Sequence, residues 1–87
     1  MGRYTVRISN PAVAYLERVD GSIRKRIVER LRQLAEDPFA HSKPLAGVGG
    51  LRSSRIGDFR IILEVDGDRL LVLIVRIGPR GQVYRNL

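Results

Sequence analysis

From Leu70 to Ile77 the chain reads Leu-Leu-Val-Leu-Ile-Val-Arg-Ile, almost wholly aliphatic and rich in β-branched residues, and Gly78-Pro79 closes the run. Such a stretch suits a central strand buried on both faces. Everything else must be arranged around that strand within 87 residues, which allows one domain, residues 1–87, and a single core.

The residues before it divide into two regimes. Tyr4-Thr5-Val6-Arg7-Ile8 alternates, with Tyr4, Val6 and Ile8 on one face, and predicts a strand. Ser9-Asn10-Pro11 then opens a helix, with Ser or Asn as N-cap and Pro11 at the first helical position. This helix runs from Ala12 to Val19 and stops at Asp20-Gly21. Ser22 is a candidate cap for a longer helix in which Ile23, Ile27, Leu31 and Leu34 recur at helical spacing, ending near Asp37 before Pro38. A tight turn between two helices predicts a helical hairpin.

Phe39 to Gly50 is loop-like. Beyond it the apolar period becomes two: Leu51 to Ile56 is a polar strand, Gly57-Asp58 a turn, Phe59 to Val65 a second strand and Asp66-Gly67-Asp68 a hairpin turn. Val83-Tyr84-Arg85 could add a short last strand. The expected class is α+β, with the order β-α-α-β-β-β and a small antiparallel sheet carrying the helical hairpin on one face. The other face is left for function.

Charge narrows the partners. Lys and Arg number 16 against 9 Asp and Glu, a net charge of +7, which on so small a chain implies a polyanion: nucleic acid, an acidic membrane surface or an acidic protein. Cysteine is absent and His41 is the only histidine, which excludes disulfides, thiolate nucleophiles, two-histidine catalysis and the usual zinc cages. No cofactor is expected. No signal-peptide-like or membrane-spanning run is evident, so the expected location is the cytoplasm.

Arginine placement is the most informative detail. Arg52, Arg55, Arg60 and Arg76 sit on or beside strands, and Arg80 and Tyr84 follow the aliphatic run. Phe59, Ile61, Leu63 and Val65 share one face, expected toward the helices, while Arg60, Ile62 and Glu64 share the other. A sheet face bearing several guanidinium groups and a tyrosine is suited to phosphates and bases. Edge arginines also deter sheet-to-sheet association, and Arg60 has Glu64 as an available ion-pair partner, so both readings stay open at this point. The second helix carries Arg24, Lys25, Arg26, Arg30 and Arg32, interleaved with Glu29 and Glu36, and reads as a solvated face. Asp66 and Asp68 are turn residues, His41 is expected to be exposed in its loop, Gly47 to Gly50 is a connector, and Tyr15 and Phe39 are expected in the core or at its edge.

In order and spacing, several of these pieces resemble the RelE-like branch of the RelE/ParE toxin superfamily over essentially the whole chain. They are Tyr4-Thr5-Val6, the helix pair, Lys43-Pro44-Leu45-Ala46-Gly47, Gly57-Asp58-Phe59-Arg60-Ile61-Ile62, Val75-Arg76-Ile77-Gly78 and Arg80-Gly81-Gln82-Val83-Tyr84-Arg85. The resemblance implies a small sheet with two helices against it. It also implies a ribosome-dependent, metal-free endoribonuclease that cuts mRNA in the A site through attack of a 2′-hydroxyl on the adjacent phosphate. Its implied partners are the ribosome, mRNA and a neutralising antitoxin, expected to be acidic, in a heterodimer or larger assembly.

Carried over by position, the resemblance implies that Arg60 binds the scissile phosphate. Arg80 would stabilise transition-state charge or protonate the leaving group, Tyr84 would stack on or orient a base, and Arg55 would supply a basic group on the preceding strand. Arg52, Ser53, Lys43, Arg76 and Arg85 complete the implied RNA-binding set. Well-known RelE-like enzymes carry lysines on the strand before Gly57, one of them a candidate general base, where this chain has Arg52-Ser53-Ser54-Arg55. Arginine is a poor base because its pKa is too high. Either another base serves, or activity relies on positioning and electrostatics. Pro79 also stands where the family commonly has a polar or basic residue. The alternatives are a ParE-like poison of DNA gyrase without nuclease activity, and a degenerate member that binds only antitoxin or RNA.

Overall fold

The computed structural model describes residues 3–83. In chain order the elements are β1 (Thr5–Ile8), α1 (Asn10–Arg18), α2 (Gly21–Glu36), β2 (Lys43–Pro44), β3 (Leu51–Ile56), β4 (Phe59–Asp66) and β5 (Leu71–Pro79). The strands form one sheet in the order β1-β5-β4-β3-β2. Consecutive strands from β2 to β5 pair antiparallel, whereas β1 lies parallel to β5, with Thr5 opposite Leu71 and Ile8 opposite Ile74. The sheet is therefore mixed rather than wholly antiparallel. The long path through both helices and three strands returns the chain alongside β1, a parallel pairing that no tight turn could make.

Ser9 joins helix to sheet. Its hydroxyl accepts from the Ala12 amide at 3.3 Å, capping α1, and donates to the Val75 carbonyl of β5 at 2.7 Å. Asp20 precedes α2 without a side-chain cap bond, and Ser22, expected as the cap, lies inside the first turn. At this junction Arg24 donates to the carbonyls of Leu16, Glu17 and Val19 at 2.7, 3.4 and 2.9 Å. A guanidinium thus satisfies carbonyls at the end of α1 and complements its negative pole. The two helices lie on one sheet face, as expected of the helical hairpin: α1 rests on β5, and α2 reaches from β1 to β3.

The core lies between the helices and that face. Ala12, Ile27, Leu31 and Leu34 from the helices meet Ile56, Ile61, Leu63, Val72, Ile74 and Ile77, with Tyr4, Val6, Ile8 and Tyr15 packed around them. At about 25 cal/mol per Å² of apolar surface, each fully buried Ile or Leu contributes roughly 1.5–3 kcal/mol.

One irregularity decides what the opposite face carries. The β4–β5 register runs Ile61 to Ile77, Ile62 to Arg76 and then Leu63 to Ile74, leaving Val75 as an extra residue. Val72 and Ile74 face the helices, so strict alternation would send Arg76 into the core. The bulge resets the phase, placing Ile77 inside and Arg76 on the face away from the helices, beside Ile62, which is itself fully buried.

The connection after α2 is more ordered than a plain loop. Asp37 accepts the Phe39 and Ala40 amides, and Lys43-Pro44 pairs with Ser53-Arg52 as a fifth strand. Phe39 is 52% exposed rather than buried, with the Arg52 guanidinium 5.0 Å from its ring centre. Val83 is buried in a turn rather than a strand, and Tyr84 and Arg85, the rest of the expected last strand, lie outside the described residues.

Candidate functional site

Directly paired residues on neighbouring strands project from the same face of a sheet. On the face away from the helices this creates two rows. One runs Lys43, Ser53, Ile62, Arg76 across β2 to β5; the next runs Arg55, Arg60, Gly78 across β3 to β5. Gly78 adds no side chain beside Arg60, and the nearest atom to a Cβ there would be Cβ of Val83 at 3.8 Å. Arg80 follows Pro79 at the same end of the sheet, its amide donating to the Asp58 carbonyl of the β3–β4 turn at 2.9 Å. The structure therefore brings together Lys43, Ser53, Arg55, Arg60 and Arg76 on one face and puts exposed Arg80 at its margin. Tyr84 and Arg85 fall outside the described residues.

Arg52 is separated from this group. It pairs across from Leu63 on the helix-facing side and spends its guanidinium on the 38–42 segment: Nε donates to Ser42 Oγ at 2.7 Å and Nη2 to the Ser42 carbonyl at 3.0 Å. Its physical work is to hold that segment, and it points away from the open-face rows.

Because β2 pairs with only two residues of β3, the side of Ser54 to Ile56 away from β4 has no strand partner among the described residues. A cleft of about 470 Å³ opens beside it, lined by Arg30, Ala40, His41, Ser42, Lys43, Ser53, Arg55 and Arg60. Arg30 closes the inner wall. Its Nη1 donates to Ser54 Oγ at 2.8 Å and to the Arg55 carbonyl at 2.7 Å, while Nε donates to Gln33. Ser54, 1% exposed, passes its own proton to the His41 carbonyl at 2.6 Å. Every polar atom of that buried hydroxyl is used, as burial demands.

A second groove continues around the edge, lined by Lys25, Arg26, Glu29, Arg30, Gln33, Arg55, Ile56 and Gly57. Arg30 and Arg55 border both spaces, so the cationic surface is continuous from the open sheet face onto α2. Gly57 permits this closeness: its φ is +55°, and a Cβ there would come within 2.9 Å of Arg26 Nη2. The basic run of α2 is thus only in part a solvated face, since Arg24 and Arg30 are structural donors.

His41, expected to be exposed, is half-buried on the cleft wall. Arg30, Ser54 and His41 were not legible as a unit. The available signal was Arg30 itself, three residues after buried Ile27 and four before buried Leu34, on the margin of the apolar stripe.

The described residues thus set a cation-lined cleft beside one face of a small mixed sheet, a surface whose charge suits an anion. A family model described as ParE toxin of type II toxin-antitoxin system, parDE, matches residues 6–84, and the chain belongs to this family as a type II toxin of the RelE/ParE superfamily. Toxin RelG of Mycobacterium tuberculosis (strain ATCC 25618 / H37Rv) is 31% identical over 84 residues, covering 94% of this chain and 97% of the relative. Toxin RelE of the same strain is 33% identical over 84 residues, covering 94% and 87%. Among solved structures, the toxin-antitoxin complex RelBE2 from Mycobacterium tuberculosis superposes with a TM-score of 0.80 at 30% identity, covering 88% of this chain and 98% of that one.

Proposed function

We propose that the protein is a ribosome-dependent endoribonuclease that cleaves mRNA in the A site and so inhibits translation. The observation that carries this reading is the convergence of Lys43, Arg55 and Arg60 around one cleft at the edge of β3. Arg60 binds the scissile phosphate. Attack of the 2′-hydroxyl builds a pentacoordinate phosphorane carrying extra negative charge, and fixed guanidinium groups stabilise that charge more than they stabilise the ground state. Arg55 adds a second cation, and Arg80, at the margin of the site, stabilises or protonates the departing 5′-oxygen. Tyr84 stacks on a base, while Ser53, Lys43, Arg76 and Arg85 follow the RNA backbone. Arg52 serves by holding the 38–42 segment rather than by touching RNA. The ribosome contributes the alignment of the strand, which reduces what a site this small must supply.

The partner in the resting state is an acidic antitoxin. A solved relative is a toxin–antitoxin complex, and the net charge of +7 favours a partner of opposite sign. The reading is tested by adding the purified toxin to ribosomes carrying a defined messenger and mapping new RNA ends, with naked RNA as control.

The description of the matching family model, a ParE toxin, favours a second reading in which the chain poisons DNA gyrase by binding it. In that case gyrase-dependent DNA cleavage complexes accumulate with purified protein, and the messenger stays intact.

A further inference from the structure

The proposed cleavage needs a group that accepts the 2′-hydroxyl proton, and β3 carries no lysine for it. We propose that His41 is that group, an inference that rests on the nuclease reading above.

Three observations support it. The first is the chemistry of the cleft wall. Arg30 from α2, Lys43 from β2, Arg55 from β3 and Arg60 from β4 face it with cations, and Ser42 and Ser53 contribute hydroxyls. No carboxylate is among the described lining residues. Charged guanidinium and ammonium groups have no free lone pair, whereas a neutral imidazole does.

The second is position. His41 lines the same cleft as Arg60 and Arg55, the groups assigned to the phosphate, so an acceptor and its anion-holding partners share one space.

The third is how firmly the backbone under His41 is held. Its carbonyl accepts from Ser54 Oγ at 2.6 Å, and Ser54 accepts in turn from Arg30 Nη1 at 2.8 Å. On the following residue, Arg52 grips Ser42 at two points, and Ser42 Oγ donates to the Pro38 carbonyl at 2.5 Å. On the preceding side, Asp37 accepts the amides of Phe39 and Ala40, each at 3.1 Å. Side chains from α2 and β3, together with Asp37, therefore fix the stretch that presents the imidazole, and a proton acceptor works only if it is held within reach of its proton.

In the step proposed, the imidazole nitrogen takes the 2′-hydroxyl proton as the 2′-oxygen forms its bond to phosphorus. The bond from phosphorus to the 5′-oxygen breaks, and that oxygen gains a proton, either from Arg80, which then recovers one from solvent, or directly from solvent with Arg80 stabilising its charge. The products are a 2′,3′-cyclic phosphate end and a 5′-hydroxyl end, and the imidazolium returns its proton to solvent.

The test compares wild type, His41→Ala and His41→Gln in single-turnover cleavage on programmed ribosomes, with and without free imidazole. The hydrogen bond that anchors His41 runs through its backbone carbonyl, so both variants retain the fold, checked by thermal unfolding. The expected loss is about 10²–10⁴-fold in both variants, with added imidazole restoring His41→Ala by about tenfold or more and leaving wild type unchanged. Rates within about threefold of wild type overturn the assignment and leave the nuclease reading standing. A loss that imidazole fails to restore in folded His41→Ala overturns proton transfer in favour of a purely positional role. If wild type itself leaves the messenger intact, the nuclease reading fails and the assignment falls with it.

Discussion

Arg55 stands directly opposite Arg60 on the β3–β4 ladder. Like charges in that relationship cost a sheet a few tenths to about 1 kcal/mol. A cost of this kind on the face proposed to hold RNA is what a phosphate site is expected to carry, because an anion bound between the two cations would convert repulsion into attraction. Arg55→Thr, with a β-branched residue suited to a strand, is expected to stabilise the free protein by about 0.5 kcal/mol and to weaken cleavage. Urea unfolding with and without inorganic phosphate checks this: phosphate should stabilise wild type more than the variant.

Ser54 is the hinge of the loop-holding network. Ser54→Ala removes the donor to the His41 carbonyl and one of the acceptors of Arg30, a change expected to cost about 1–3 kcal/mol. Denaturant midpoints of Ser54→Ala, Arg30→Met and the double variant should show non-additivity, since both residues act through one bonded chain.

Tyr15 sets an alkaline limit. Burial raises its pKa above the ordinary phenol value of 10.0, opposed in part by the nearby Arg18; its ring lies 6.5 Å from that of Phe59. A raised folded-state value means the folded chain binds the phenolic proton more tightly than the unfolded one. This contribution is complete below the unfolded value and is lost as pH rises through the folded one. Melting temperature in Tyr15→Phe is therefore expected to fall less steeply above pH 10 than in wild type.

Much of this was legible in the residues, and what was not has identifiable physical causes. Capping at Ser9, the apolar stripe of α2 and the turns at Gly57-Asp58 and Asp66-Gly67 are local signals, and the structure follows them. Parallel pairing of β1 with β5 joins residues more than sixty positions apart, with no turn to announce it. The bulge at Val75 leaves no mark in composition, yet it decides that Arg76 faces outward. In the site, alternation correctly separated Arg60 and Ile62 from the helix-facing Ile61 and Leu63. It could not show that Arg52 turns back to Ser42, or that the loop bends His41 onto the cleft, because both depend on side-chain bonds between elements.

The measurement that bears most directly on the proposed activity is mapping of messenger ends on programmed ribosomes with wild type, Arg60→Ala and Arg80→Ala. The expected result is cutting within the A-site codon by wild type, none on naked RNA, and losses of about 10²–10³-fold in each variant, as when one group stabilising transition-state charge is removed. An intact messenger with folded wild-type protein, or undiminished cutting by Arg60→Ala, would contradict it.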